Sequence, residues 1–205
     1  MDAADWDARY TDSELVWGAP PNRYVVEHTT ALPMGRALDL ACGEGRNALW
    51  LATRGWQVTG LDYSAVALGK GAEVAARAPQ AVISRLDWQH ADVTTAEFDD
   101  EYDLALMVYL HLPAADRRAL IPRVCSALAP GGRLVVVAHD LINLTEGYGG
   151  PPEPSILFTP DDVLAELPAF MTPVTAGRPH RDVETPEGTR TAIDAVVVAT
   201  KMSPL

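Results

Sequence analysis

Residues 37–64, ALDLACGEGRNALWLATRGWQVTGLDYS, decide how the rest of the chain is read. The apolar run Arg36–Leu40 has the composition of a first strand, and Gly43 and Gly45 break it into a turn. Arg46–Arg54 then shows helical spacing and stops at Gly55, where the absence of a Cβ ends a helix cheaply. Gln57–Leu61 is a second apolar strand with Asp62 at its end. Such a strand, glycine turn, helix and strand form half of a cofactor-binding unit, with free backbone N–H groups at the helix start. Gly43-Glu44-Gly45-Arg46-Asn47-Ala48 satisfies the pattern G-x-G-x-x-[GA], and Asp62 is placed to accept hydrogen bonds from both hydroxyls of a ribose.

The same alternation continues outward. A helix is expected around Asn22–Thr30, and Ser64 caps another that runs to about Arg77, although Gly69 and Gly71 weaken it. Leu86–His90 and Tyr102–Leu110 read as strands, and Ala114–Leu128 as a helix that Pro122 should kink or divide. Pro130-Gly131-Gly132 turns the chain into Arg133–Ala138, a continuous apolar run suited to a strand buried on both faces. Thr159-Pro160-Asp161-Asp162 is a helix start, with Thr at the cap and Pro at the first position. Thr191–Thr200 is a last strand, after a polar stretch containing Glu187-Gly188. Alternating strands and helices predict a parallel sheet with helices on both faces and a ligand site at the carboxyl ends of the strands.

A chain of 205 residues with 48% hydrophobic and 21% charged residues suits one soluble domain, and no repeat or linker divides it. Sixteen basic against 28 acidic residues give a net charge of −12, which argues against nucleic-acid and membrane partners. Cys42 lies in the glycine turn and Cys125 in a helical pattern, so a disulfide framework is not expected. The start, MDAADWDARY, lacks the features of a secretory leader, and no apolar run approaches the ~20 residues of a membrane span. A cytoplasmic location follows as an expectation.

Asp39 separates the candidate cofactors. A dinucleotide would set its pyrophosphate against the turn, and a carboxylate there repels it. S-adenosylmethionine carries a cationic sulfonium and an amino group and has no phosphate. Even if Asp39 only accepts hydrogen bonds from loop N–H groups, it disfavours a pyrophosphate. An NAD(P)-dependent oxidoreductase is the competing reading. Asp39, the lack of a second domain and the lack of any tyrosine with lysine four residues on stand against it. A non-catalytic S-adenosylmethionine-binding protein is a third.

Leu38–Gly45, Gly60–Tyr63, Ala91-Asp92-Val93 and Leu128–Gly132 resemble the successive motifs of class I S-adenosylmethionine-dependent methyltransferases. The family's D-x-G-x-G-x-G stands here as Asp39 to Gly45 with Ala41 for the first glycine, a change that requires Ala41 to avoid positive φ. The resemblance covers residues 35–140. It extends to Trp6-Asp7-Ala8-Arg9-Tyr10 and Trp17-Gly18-Ala19-Pro20-Pro21-Asn22, which are similar to small-molecule methyltransferases of the tellurite-resistance and thiopurine kind.

The resemblance implies a single-domain, Rossmann-like α/β fold: a mostly parallel seven-stranded sheet with helices on both faces and an antiparallel C-terminal strand. Residues 1–34 would form an N-terminal helical cap and 35–140 the cofactor core. Residues 141–205 would supply the substrate-side loop, a helix and the C-terminal strands. The implied reaction moves a methyl group from S-adenosyl-L-methionine to sulfur, nitrogen, oxygen or a chalcogen of a small-molecule acceptor, leaving S-adenosyl-L-homocysteine. By position, Ala41, Cys42, Gly43 and Gly45 hold the methionine end with Asp39, Asp62 holds the ribose and Tyr63 packs on the adenine. Asp92 accepts the adenine amino group beside the Val93 N–H, and the strand end at Val108 and Tyr109 offers a carbonyl to the cofactor's amino group.

Methyl transfer is an in-line displacement that asks mainly for alignment and exclusion of water. A base is needed only for an acceptor that arrives protonated. His111 is the candidate, with a hydrogen bond to a neighbouring loop as its alternative role. His139 and Asp140 are expected to face the acceptor. Trp17 and Tyr10 either close over the site or anchor the N-terminal segment, and Tyr148 lies in the breaker-rich stretch 146–154, expected to be a substrate-side loop. No His and carboxylate cluster at metal spacing is present, and Cys42 is a residue that fits a tight turn. His28, His90 and His180 carry no functional expectation.

Overall fold

The structure, a computed structural model, describes residues 3–12, 20–98 and 101–203. Two helices come first, α1 (Ala3–Thr11) and α2 (Arg23–Thr29), the second capped by the Asn22 side chain, which accepts the Tyr24 N–H. β1 (Arg36–Leu40), α3 (Arg46–Thr53), β2 (Gln57–Asp62), α4 (Ala65–Ala75), α5 (Gln80–Ile83) and β3 (Leu86–His90) follow. After β4 (Tyr102–Val108), α6 (Ala114–Ser126) leads into β5 (Leu128–His139). The remainder comprises α7 (Asn143–Glu146), a 3-10 turn at Pro154–Ile156, α8 (Pro160–Glu166), β6 (Met171–Gly177), β7 (His180–Thr185) and β8 (Gly188–Lys201).

The strands are ordered β3-β2-β1-β4-β5-β8-β6, with β1 to β5 parallel and β8 antiparallel to β5 and β6. An eighth strand, β7, pairs with β8 off that row, so the expected seven strands become eight. The order reverses at β1 and β4, which places the carboxyl ends of these two neighbours at the crevice where such sheets bind ligands.

Side chains alternate across the sheet and fill two apolar layers. Ala105, Met107, Leu134 and Val136 face one layer with Leu120, Ile121 and Phe158. Leu104, Leu106, Val135 and Val137 face the other with Leu51 and Trp56. Each such fully buried large side chain contributes roughly 1.5–3 kcal/mol, so the central strands are the anchored part of the fold.

Three local expectations change. α6 runs unbroken through Pro122, because the hydrogen bond lost is to the carbonyl of Arg118 on the exposed face. Strand pairing of β5 begins at Leu128: the ladder jumps from Tyr102/Leu128 to Leu104/Arg133, and Pro130-Gly131-Gly132 occupy the irregularity. The polar stretch before the last strand is itself the hairpin of β7 and β8, with Gly188 at φ 115 in its turn. By contrast, Thr159 caps α8 as its sequence predicts, in a reciprocal pair with Asp162.

Candidate active site

The glycine turn is built by three residues in the left-handed region, Ala41 (φ 53), Gly43 (φ 57) and Gly45 (φ 72). Ala41 therefore does not avoid positive φ, contrary to the sequence expectation. Its Cβ is tolerated there at a cost of about 1–2 kcal/mol, a strain the surrounding bonds must hold. Those bonds are visible: the Cys42 N–H donates to the Leu61 carbonyl at 3.0 Å, and the Gly45 N–H to the Cys42 carbonyl at 2.9 Å. The Gly43 N–H donates to Asp62 Oδ2 at 2.7 Å, while Asp62 Oδ1 takes the Ser64 N–H at 2.9 Å. Burial pushes the Asp62 carboxyl above its usual range, opposed by these N–H donors.

Gly45 has a second reason to be glycine. A Cβ on it would stand 2.2 Å from the Trp88 ring, and one on Gly60 would stand 2.9 Å from the same indole. A Cβ on Gly71 of α4 would lie 3.0 Å from the Glu44 carbonyl and 3.4 Å from Trp88. Trp88 on β3 is thus wedged among glycines of three elements, and Gly71, unfavourable by helix propensity, permits α4 to approach the turn.

Asp39, at the end of β1, is 1% exposed. Its Oδ2 has no hydrogen-bond partner among the described residues. Burial raises its carboxyl to about 7, against the pull of Arg46 and the Ala48 N–H. A buried acceptor left open beside a glycine turn is a place for a positively charged donor. Cys42 is buried and its thiol is pushed well up by burial, with Asp39 and Asp62 adding to the rise, so it is not a reactive thiolate.

Beyond β4, Tyr109 also adopts a left-handed conformation (φ 56), and its N–H donates to the Val137 carbonyl at 2.6 Å. The bend brings three rings together. The centroids of Tyr109 and His139 are 5.0 Å apart, and the rings of His111 and His139 stack at 5.6 Å and 12°. Beneath them lies Asp194 of β8, 0% exposed. It accepts from Arg181 Nε at 2.8 Å and from the Tyr109 hydroxyl at 3.2 Å, and its Oδ1 is 3.7 Å from His139 Nδ1. Arg46, the first residue of α3, interacts electrostatically with Tyr109, Asp39, Arg181 and Tyr10.

Four comparisons with known proteins agree with this crevice. A family model described as a methyltransferase domain matches residues 37–132, which contain the turn, Asp62, Asp92 and the Pro-Gly-Gly irregularity. The chain is 28% identical over 172 residues to thiocyanate methyltransferase 1 of Brassica oleracea, covering 82% of this chain and 74% of that one. It is 30% identical to probable thiol methyltransferase 2 of Arabidopsis thaliana over 72% of this chain and 63% of that one. The fold is that of the glycopeptide N-methyltransferase MtfA solved with S-adenosylmethionine, at a TM-score of 0.68 and 20% identity, covering 100% of this chain and 98% of that one. The chain is a class I S-adenosylmethionine-dependent methyltransferase.

The cofactor of this methyltransferase is S-adenosylmethionine, and the residues present fit it: the open Asp39 oxygen suits a cation, and the turn leaves no carboxylate-free cradle for a diphosphate. The nicotinamide alternative is set aside. Asp92 is exposed, and its Oδ1 takes both the N–H and the hydroxyl of Thr94 at 2.8 Å, so it caps its own turn with one oxygen. Val93 is buried in the core, and Tyr63 is half-buried with its carbonyl 2.9 Å from His90 Nε2. Val108 is half-buried where β4 ends.

On the acceptor side the expectations divide. His111 Nε2 accepts the His139 N–H at 3.3 Å, its ring also bonds the Tyr109 backbone, and burial pulls it down to about 4. That arrangement pins a loop and is a poor one for taking up a proton. Asp140 does not face an acceptor: it is 0% exposed, with Oδ2 on Arg178 Nε at 2.8 Å and Oδ1 on the Ile142 N–H at 2.9 Å. Tyr148 is 44% exposed. Tyr10 is buried on α1, where its carbonyl receives Lys70 Nζ, and Asp7 receives the Ser64 hydroxyl at 2.5 Å, so α1 is tied to α4 beside the turn. Trp17 lies outside the described residues.

Asp194, Arg181, Arg46 and Trp88 were not foreseen. Asp194 had a usable signal: like Asp39, it is a lone acid in an apolar strand, Ala192–Ala199. Arg181 had none, because it sits in a polar hairpin. Among the described residues no three His, Cys, Asp or Glu side chains gather as metal ligands, and no helix is long and apolar enough to cross a membrane.

Proposed function

We propose that this methyltransferase methylates the sulfur of a small acceptor, a thiol or a thiocyanate-like anion. One observation carries the reading: the wall next to the glycine turn is made of polarisable rings, Tyr109, His111 and His139, with Arg46 and Arg181 beside them. Its carboxylates are already paired, Asp194 with Arg181 and Asp140 with Arg178. Among the described residues a cationic amine finds no open carboxylate on this wall, whereas a soft, electron-rich sulfur is favoured, together with the negative charge it carries when it attacks. The thiocyanate and thiol methyltransferases of plants that this chain resembles point the same way.

In this reading the bound cofactor supplies a methyl group already activated by its sulfonium. Ala41, Cys42, Gly43 and Gly45 hold its methionine end, and Asp39 meets its positive charge. Asp62 keeps a lone pair for the ribose beyond the three it gives to the N–H groups of Gly43, Ser64 and Tyr63, since each carboxylate oxygen has two. Asp92 retains Oδ2 for the adenine amino group beside the Val93 N–H, Tyr63 covers the ring, and the Val108–Tyr109 bend presents a carbonyl. Tyr10, on α1, belongs to a helical cap over the core at 35–140, and Tyr148 to the acceptor side at 141–205. A cytoplasmic setting fits two cysteines that are both free and buried.

The test is a screen of thiols, thiocyanate, chalcogen oxyanions, heterocyclic amines and phenols with labelled methyl donor. Thioether or methyl thiocyanate products support the reading; turnover confined to amines or phenols contradicts it.

A further inference from the structure

We infer that His139, oriented by Asp194, is the base that takes the proton from the acceptor, and that the acceptor is therefore a thiol that arrives protonated. This rests on the sulfur-methylation reading and narrows it, because a thiocyanate-type anion brings no proton to remove.

Two imidazoles lie in the crevice, and their surroundings differ. The His111 ring is engaged by backbone, with Nε2 accepting the His139 N–H and a further hydrogen bond to the Tyr109 backbone. The His139 ring is packed by three neighbours. The His111 ring stacks on it, the Tyr109 ring lies tilted with its centroid 5.0 Å away, and the backbone of Gly150 presses close enough that a Cβ there would be 2.8 Å from His139 Cγ. Nδ1 is buried and points at Asp194 Oδ1, 3.7 Å away. Nε2 has no protein partner among the described residues and is the edge left for a ligand.

The charges decide the tautomer. Asp194 is ion-paired with Arg181, and an Nδ1 lone pair facing its oxygens would be repelled. The proton of neutral His139 therefore sits on Nδ1, and the basic lone pair on Nε2. At 3.7 Å the contact is long for a hydrogen bond, and such contacts tighten when substrate is bound. The groups facing His139 are Asp194 on β8, Arg181 on β7, and Tyr109 and His111 after β4. Burial lowers its proton affinity, Asp194 raises it and Arg181 lowers it again, so it is an unprotonated base at neutral pH. In the step itself the acceptor's S–H bond breaks and its proton goes to Nε2. The sulfur lone pair takes the methyl group, the carbon–sulfonium bond breaks with its electrons to the departing thioether, and the imidazolium then loses its proton to water.

The experiment measures kcat/KM for 2-mercaptoethanol and for potassium thiocyanate across pH 6 to 10, in the wild type and in His139→Gln. At pH 7 the variant is expected to lose roughly a hundredfold more on the thiol than on thiocyanate. The thiol deficit should shrink at alkaline pH, where the thiolate forms unaided. Equal losses on both acceptors, or a thiol deficit that persists to pH 10, overturn the assignment. Wild type active on thiocyanate but not on any thiol overturns it while leaving sulfur methylation standing. Wild type inactive on every sulfur acceptor overturns both. Independently of any variant, the ¹⁵N shifts of His139 in the wild type report its tautomer: a proton on Nδ1 supports the role, and a proton on Nε2 contradicts it. Asp194 is a positioning residue, and Asp194→Asn is expected to move the His139 titration to lower pH.

Discussion

The Asp62 carboxylate, at the end of β2, accepts the N–H of Gly43 at 2.7 Å. One acid therefore ties the end of β2 to the glycine turn that follows β1, so the residue proposed to hold the ribose also shapes the turn. Asp62→Ala is expected to weaken S-adenosylmethionine binding about a hundredfold. The fold should survive with a loss of about 1–3 kcal/mol for the unpaired N–H groups. Calorimetry and thermal unfolding on the same sample separate the two effects, and unchanged affinity would remove the ribose assignment.

Asp39 links binding and stability to pH. Burial holds its carboxyl at about 7 in the folded chain, above the value of an unfolded aspartate. Between roughly pH 4 and 7 the folded state thus binds more protons than the unfolded one, and its stability falls as the pH rises through that window. Asp39→Asn should flatten this slope. A cationic ligand favours the carboxylate, so cofactor affinity should rise with pH up to about 7, with proton release on binding at pH 6. Calorimetry in buffers of different ionisation enthalpy counts those protons.

Trp88 and Gly45 are sterically coupled. Gly45→Ala drives a Cβ to 2.2 Å from the Trp88 ring and adds a side chain at φ 72, so a loss of about 2–4 kcal/mol is expected. Trp88→Leu is costly alone, but it should recover part of the Gly45→Ala loss. Chemical denaturation of both single variants and the double variant measures that coupling, and strict additivity would contradict the wedge.

Arg117 on α6 is 2% exposed and donates to Glu166 on α8 at 2.7 and 2.9 Å, with its guanidinium over the Phe158 ring. Glu166→Gln leaves that buried charge without its counter-ion and should cost about 3–5 kcal/mol. Denaturant unfolding checks this, and a loss below 1 kcal/mol would show that α8 is held by apolar packing alone.

Much of the cofactor half was legible because its chemistry is local. Asp39, Gly43, Gly45 and Asp62 are close in sequence, and the pattern alone places the two acids at strand ends and the two glycines in the turn between strand and helix. Ala41 shows the limit: its composition suggested an ordinary φ, but the path of the turn imposes 53° on it. The acceptor half was less legible because it is assembled across the sheet. His139 meets Asp194 only because β5 lies antiparallel to β8, and Arg181 arrives on a hairpin whose polar, half-exposed residues lack an apolar alternation. Asp140 was misplaced for the same reason, since its partner Arg178 lies 38 residues further along the chain.

The most direct test of the electrostatic claim is a calorimetric titration of the purified chain with S-adenosylmethionine and, in parallel, with NADH. A buried carboxylate beside the turn predicts one-to-one binding of the sulfonium ligand and no detectable heat with the dinucleotide. Tight NADH binding with no response to S-adenosylmethionine would contradict it.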